Sequence, residues 1–308
     1  MEHIPVLLRE SIEGLNIKPD GLYIDGTLGR AGHAIEIAKK LTCGRLIAID
    51  RDESAINEAA ELLREYKDKT ILIHSNFKDI AKILNNKGID KADGMLFDLG
   101  VSSPQLDDAT RGFSYIHDTK LDMRMDKNGE LTAFEAINNW DEDQLRTIFF
   151  EYGEERYSKS IAREIVKKRA SAPIDTTFKL NEVIYSAIPS PARREAGHPS
   201  KRIFQALRIA VNDELDSIKE MLEAAPDLLN PKGRLCVLSF HSLEDRLVKR
   251  AMATGAKGCT CPRETPVCIC GTKPTLKLIT RKPVTADKYE TSQNPRAKSA
   301  KLRIAERL

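Results

Sequence analysis

The regular alternation of strand and helix signals over the first hundred residues constrains this chain most. Short apolar runs at 22–24, 45–49, 70–73 and 94–97 are separated by stretches with helical spacing at 32–41, 53–66 and 77–84. A further helical pattern precedes them at 3–15. This β-α-β order predicts parallel strands joined by crossover helices on the sheet faces. Sheets of this kind bind ligands outside the carboxyl ends of their strands. Three of the four runs end in an acid: Asp25, Asp50 and Asp98. Asp is also a common turn former and helix cap. That role accounts readily for one such residue and less well for three at equivalent positions.

The alternation stops near residue 106. Helical patterns follow at 141–152, 157–169, 180–187 and 203–223, and Thr132 with Glu135 has the spacing of a capping box. Strand signal resumes at 234–240, and Ser242 with Asp245 is expected to cap the next helix. Period-two runs at 276–279 and 301–304 predict an antiparallel pair near the sheet edge. The expected organisation is an α/β core in two parts, residues 1–106 and 216–308. A helical insertion at 107–215 interrupts it as a substrate-recognition domain.

Composition excludes several classes. With 41% apolar residues a core can form. No run of about 18 apolar residues exists, so no membrane-spanning helix is expected. The segment 1–5 lacks the basic and apolar regions of a secretory signal, which points to the cytoplasm. The net charge of +3 conceals a division: residues 273–308 hold ten basic and three acidic side chains, net +7, against −4 for the rest. Such a segment favours a polyanion through counterion release, or is simply a solvated tail. Four of the six cysteines, Cys259, Cys261, Cys268 and Cys270, fall within twelve residues. Four thiols can supply a tetrahedral zinc site, but C-x-C is tighter than the usual ligand spacing, and reduced thiols in an ordinary loop are the alternative.

The first strand runs into Asp25-Gly26-Thr27-Leu28-Gly29-Arg30-Ala31-Gly32-His33. Glycine at every third position lets a ligand approach the backbone. The spacing matches neither the dinucleotide fingerprint nor the P-loop. A cofactor approached closely but not held by its phosphates fits better, with Asp50 placed to accept hydrogen bonds from a ribose diol. Together with the closing strand pair, this favours S-adenosylmethionine over NAD. His33 opens the next helix, Phe77 either lies on an adenine ring or staples its own helix, and Gln105 bonds a ligand amide or a neighbouring turn. After the fourth strand comes Asp98-Leu99-Gly100-Val101-Ser102-Ser103-Pro104-Gln105. Methylation of an exocyclic base amine uses acceptors at such a point, because they raise the electron density of a poor nucleophile and take up its proton. Here Ser-Ser-Pro stands where the common amine-methylating pattern has Pro-Pro-aromatic, so the assignment of Asp98 as base rests on position alone.

These segments, with Leu121-Asp122-Met123-Arg124-Met125-Asp126, Phe204-Gln205-Ala206-Leu207-Arg208, Ser239-Phe240-His241-Ser242-Leu243-Glu244-Asp245-Arg246 and Asn294-Pro295-Arg296-Ala297-Lys298-Ser299, span nearly the whole chain in order. Together they resemble the RsmH (MraW) family of bacterial small-subunit ribosomal RNA cytosine-N(4)-methyltransferases. The resemblance implies a class I S-adenosylmethionine-dependent fold, a mostly parallel seven-stranded sheet, with an inserted helical domain. It implies methyl transfer to one cytidine in the decoding region of 16S ribosomal RNA; the expected substrate is that RNA within an assembled small subunit, with naked RNA the alternative. Ala31, Gly32 and His33 would bind the cofactor from the loop, Asp50 its ribose, Phe77 its adenine side, and Asp98 and Gln105 its methionine or adenine part. The family often has Gly where this chain has Ala31, which is expected to need only a right-handed conformation. No metal is expected. Residues 107–126 are expected to form a lid, with Arg111 and Arg124 meeting phosphates or the base; the alternative is an ion pair of Arg124 with Asp122 or Asp126. Lys201 and Arg202, at the head of a long helix, are further RNA candidates. The runner-up function is a non-catalytic assembly factor that retains the cofactor pocket, and the oligomeric state is monomer or homodimer.

Overall fold

The computed structural model describes residues 5–191, 193, 198–259, 261, 266–267 and 269–308. In chain order the elements before the interruption are α1 (Leu8–Leu15), β1 (Leu22–Asp25), α2 (Gly32–Lys40), β2 (Arg45–Asp50), α3 (Glu53–Leu62), β3 (Thr70–His74), α4 (Ile80–Asn86) and β4 (Ala92–Asp98). Among the described residues there follow the α-helices α5 (Ser103–Asp107), α6 (Ala133–Asn139), α7 (Glu142–Glu151), α8 (Ser158–Arg169), α9 (Thr177–Ala187) and α10 (Ser200–Val211). The chain then continues through α11 (Glu214–Ala224), β5 (Leu229–Ser239), α12 (Ser242–Lys257), β6 (Leu276–Leu278), α13 (Lys288–Gln293) and β7 (Lys301–Arg307).

The strands form one seven-stranded sheet in the order β3-β2-β1-β4-β5-β7-β6. The first five in that order run parallel, and β7 is antiparallel to both β5 and β6. This is the class I methyltransferase architecture. Parallel strands covered on both faces should read as continuous apolar runs. In β2, Leu46, Ile47, Ala48 and Ile49 are all fully buried. Ile37 of α2, Leu96 of β4, Cys236 and Leu238 of β5 and Leu302 of β7 are among the residues that complete this core. At about 1.5–3 kcal/mol for each large apolar side chain, this burial dominates the stability of the sheet.

The chain divides into two compact units, one of residues 1–100 and 215–308 and the other of residues 101–214. Residues 101–106 group with the second unit, and its end falls inside the stretch read as a single helix at 203–223. The helix breaks there. Asn212 ends α10, and Asp213 has a left-handed φ of 50°. The Asn212 side chain donates to the carbonyls of Met123 (2.7 Å) and Arg208 (2.9 Å) and accepts from the Met125 N–H (2.7 Å). The second unit has its own core, which includes Phe149, Ile161, Leu180, Ile203 and Leu207.

Candidate active site

The parallel register brings three acids to one edge. Asp25 pairs in register with Ala48 and Leu96, Asp50 with His74, and Asp98 with Leu238. The carboxyl ends of β1, β2 and β4 therefore lie side by side in the first unit. The loop after β1 is tied to these strand ends. The Gly26 N–H donates to Leu96 O (2.9 Å) and the Leu28 N–H to Ile49 O (2.9 Å). The Gly29 N–H donates to Asp50 Oδ2 (2.8 Å), and Thr27 Oγ1 accepts from the Asp98 N–H (2.6 Å).

The three glycines have different causes. A Cβ on Gly26 would strike the Phe97 ring at 2.2 Å, and one on Gly32 would strike Pro5 Cγ at 2.1 Å. At Gly29 φ is +48° and a Cβ would meet nothing within 4 Å. Gly29 alone thus leaves open space beside the loop. Ala31 overturns an expectation: it is left-handed, with φ 58° and ψ 16°, and fully buried at the head of α2. An L residue there costs about 1–2 kcal/mol, a penalty that glycine avoids.

The acids sit in a field of their own making. Asp25 is 1% exposed, and its carboxyl is pushed up to about 7 by burial and then by the charge of Asp50. Asp98 is pushed up to about 8 by loss of solvent, then by Asp25 and Glu244. Burial also raises Asp50, although its oxygens accept the N–H groups of Gly29 and Asp52. Asp25 Oδ2 and Asp98 Oδ1 accept no hydrogen bond among the described residues. Buried His33 has Nδ1 at 3.8 Å from Asp98 Oδ2. Phe77 follows β3, half-buried, and packs edge-on against Phe97 with centroids 5.8 Å apart.

Glu244 was missed by the sequence reading as part of this group. It is fully buried; Oε2 accepts from the backbone N–H groups of Phe240 (2.7 Å) and His241 (3.2 Å), while Oε1 stands 3.1 Å from His241 Nε2. The available signal was a glutamate in the first turn after an apolar strand. The expected cap is also corrected. His241, not Ser242, is the N-cap of α12, and Asp245 instead pairs with Arg303 (2.7 Å) and Lys301 (3.1 Å).

The remaining candidates lie in the second unit. Gln105 is buried, and its Oε1 accepts the Ser102 N–H at the start of α5, so the neighbouring turn uses it. Residues 121–126 form no strand; Met123 has φ 60°. Arg124 makes a two-point contact with Asp122 (2.9 and 2.7 Å) and donates through Nη1 to Lys127 O and Gly129 O. Arg111 is buried and donates to Arg124 O and Met125 O. Both arginines thus hold the loop together. Lys201 and Arg202 are exposed in the first turn of α10, with Arg202 3.7 Å from Glu155.

The MraW methylase family profile matches residues 1–308. The chain belongs to this family. The ribosomal RNA small subunit methyltransferase H of Brevibacillus brevis is 53% identical over 307 residues, 99% of this chain and 98% of that protein. The protein of the same name from Lachnospira eligens is 51% identical over 308 residues, 100% of this chain and 98% of that one. Membership makes the chain a methyltransferase that uses S-adenosylmethionine, and the donor set at the strand edge fits that cofactor. Unpartnered carboxylate oxygens on Asp25 and Asp98 suit a cationic, N–H- and O–H-bearing ligand. They would repel the phosphates of a dinucleotide.

Proposed function

We propose that this protein methylates the N(4) amine of a cytidine in the decoding region of 16S ribosomal RNA. Its substrate would be the assembled small subunit in the cytoplasm. Two things support the reading: the names of relatives matched over their whole length, and the acceptor-rich strand edge. Among the described residues no helix is long and apolar enough to cross a membrane.

The single observation that carries the chemistry is the half-buried Asp98 carboxyl group at the end of β4, whose buried Oδ1 has no partner among the described residues. When bound, S-adenosylmethionine supplies an activated methyl group on a cationic sulfur. In this reading Ala31, Gly32, His33 and Phe77 line the cofactor from the loop and the end of β3. Asp50 keeps lone pairs for a ribose diol after serving Gly29 and Asp52. In its ionised form, which a cationic cofactor bound beside it favours over the protonated form that burial favours, Asp98 accepts the N–H of the incoming amine and takes its proton. Gln105 holds the start of α5 through the Ser102 N–H. That unit, residues 101–214, would recognise RNA through Lys201 and Arg202. Arg111 and Arg124 would shape the 107–126 loop from within, beyond any phosphate contact of their own. The cytidine must leave its stack to react.

The test uses methyl-labelled S-adenosylmethionine with immature small subunits. Label in one cytidine is the expected result. Cofactor binding without label would instead support a non-catalytic assembly factor. Absence of cofactor binding would sink both.

A further inference from the structure

We propose that Cys259, Cys261 and Cys270 hold a structural zinc ion in the connection between α12 and β6. The site lies apart from the acids at the strand edge and takes no part in methyl transfer. The three Sγ atoms lie within 4.8 Å of one another, and those of Cys259 and Cys270 are 3.8 Å apart. Sulfurs at the corners of a tetrahedron around zinc, each about 2.3 Å from the metal, stand about 3.8 Å from each other. A disulfide requires about 2.05 Å. The spacing is that of ligands sharing an ion.

The tight C-x-C spacing argued against zinc in the sequence, and the backbone answers that objection. Gly258 ends α12 with φ +72°, and a Cβ there would fall 2.3 Å from Pro274 N and 2.5 Å from Lys273 C. The returning chain therefore packs directly against the helix end. The Thr275 N–H donates to Gly255 O (2.9 Å) and fixes the two segments side by side. This contact brings Cys270 to Cys259 across eleven positions, and the Cys261 thiol lies at the same point. All three thiols are half-buried, shielded yet reachable by an ion from solution.

Val267 and Ile269 are 73% and 85% exposed, so they supply no core of their own. Small segments without a core commonly gain their order from a metal. Binding would release one proton from each thiol, leaving three thiolates on a doubly charged ion and a net charge of −1. The fourth coordination position is left unassigned, Cys268 lying outside the described residues. The product is a cross-link from the end of α12 to the entrance of edge strand β6.

The full-length protein, purified under reducing conditions without chelator, should carry one equivalent of zinc by elemental analysis. Replacing that zinc with cobalt should give the intense thiolate-to-cobalt charge-transfer band of tetrahedral coordination. X-ray absorption should place sulfur near 2.3 Å. The Cys259→Ser/Cys261→Ser/Cys270→Ser protein should lose at least nine-tenths of the metal. The cobalt spectrum of the unmodified protein needs no variant, so misfolding of the triple variant would not hide the answer. Zinc well below one equivalent, zinc kept by the triple variant, cobalt without the thiolate band, or a reductant-reversible disulfide among these cysteines would each overturn the proposal.

Discussion

Ala31 shows how much one dihedral can decide. Its φ of 58° is left-handed, and its side chain is completely buried. Ala31→Gly relieves the conformational cost, loses one buried methyl and loosens the unfolded chain; these terms nearly cancel. That variant should melt within about 1 kcal/mol of the parent. Ala31→Val forces a β-branched side chain into the same conformation and should cost more than about 2 kcal/mol. A right-handed residue would gain nothing from glycine, and Ala31→Gly would then cost more than about 1 kcal/mol, so denaturant titration of that variant is decisive. Asp98 makes a second prediction. Its folded pKa, about 8, lies above the ordinary 3.8, so the folded protein binds a proton that the unfolded chain releases. Stability is therefore lost as pH rises from about 4 to about 8, and is level beyond. Asp25, raised to about 7, acts in the same direction. One group contributes at most about 1.4 kcal/mol per pH unit, and Asp98 less, since 27% of its side chain is exposed. Asp98→Asn should flatten this slope in thermal melts of the cofactor-free protein while abolishing methyl transfer.

At the scale of elements, the sequence displayed strands better than helix breaks. The runs at 22–24, 45–49, 70–73 and 94–97 each lie within an observed strand; those in the interior of the sheet are continuously apolar because both faces are buried, and half-buried edge strand β3 keeps an apolar run too. The helix pattern at 203–223 concealed a break. Asn212 and Asp213 are acceptable on the polar side of a helix, and only the long-range partners of Asn212 show that the chain must turn there. Asn212 bonds residues 87 and 89 positions away, which no local pattern reveals. For the same reason Ser242 and Asp245 look like a cap: their spacing is local, whereas the ion pairs of Asp245 with Lys301 and Arg303 join residues 56 and 58 positions apart. The Asn212 bonds to Met123 and Met125 are buried, so Asn212→Ala takes this partner from the Met125 N–H and the Met123 carbonyl, while the Arg208 carbonyl keeps the backbone N–H of residue 212. Its expected cost is about 2–4 kcal/mol by chemical denaturation. An Asn212 variant within about 0.5 kcal/mol of the parent would mean that the loop at 121–126 is held by other means.

For the whole molecule, the net charge of +3 is resolved by where the final segment's charges point. Of its ten basic side chains, Lys301 and Arg303 pair with Asp245, Lys277 lies 3.8 Å from Glu306, and Arg307 lies 3.7 Å from Asp227. Arg303 is only 7% exposed and serves the sheet. Lys273, Arg281, Lys282, Lys288, Arg296 and Lys298 remain on the surface. Sequence alone could count the charges, but pairing across β5, β7 and β6 divides them into structural and solvent-facing sets. The surface set is the one able to meet an RNA backbone. Neutralising Arg281, Lys282, Arg296 and Lys298 together should leave folding intact and reduce the salt dependence of RNA binding. With about 0.7 counterions released per single-stranded phosphate contact, the slope of log K against log salt should fall by up to about 3. Neutralising Lys301 and Arg303 should instead lower stability, because it leaves Asp245 without its cations beside the sheet. An unchanged slope in the fourfold variant would make the basic segment a solvating surface alone, with the phosphate contacts carried elsewhere.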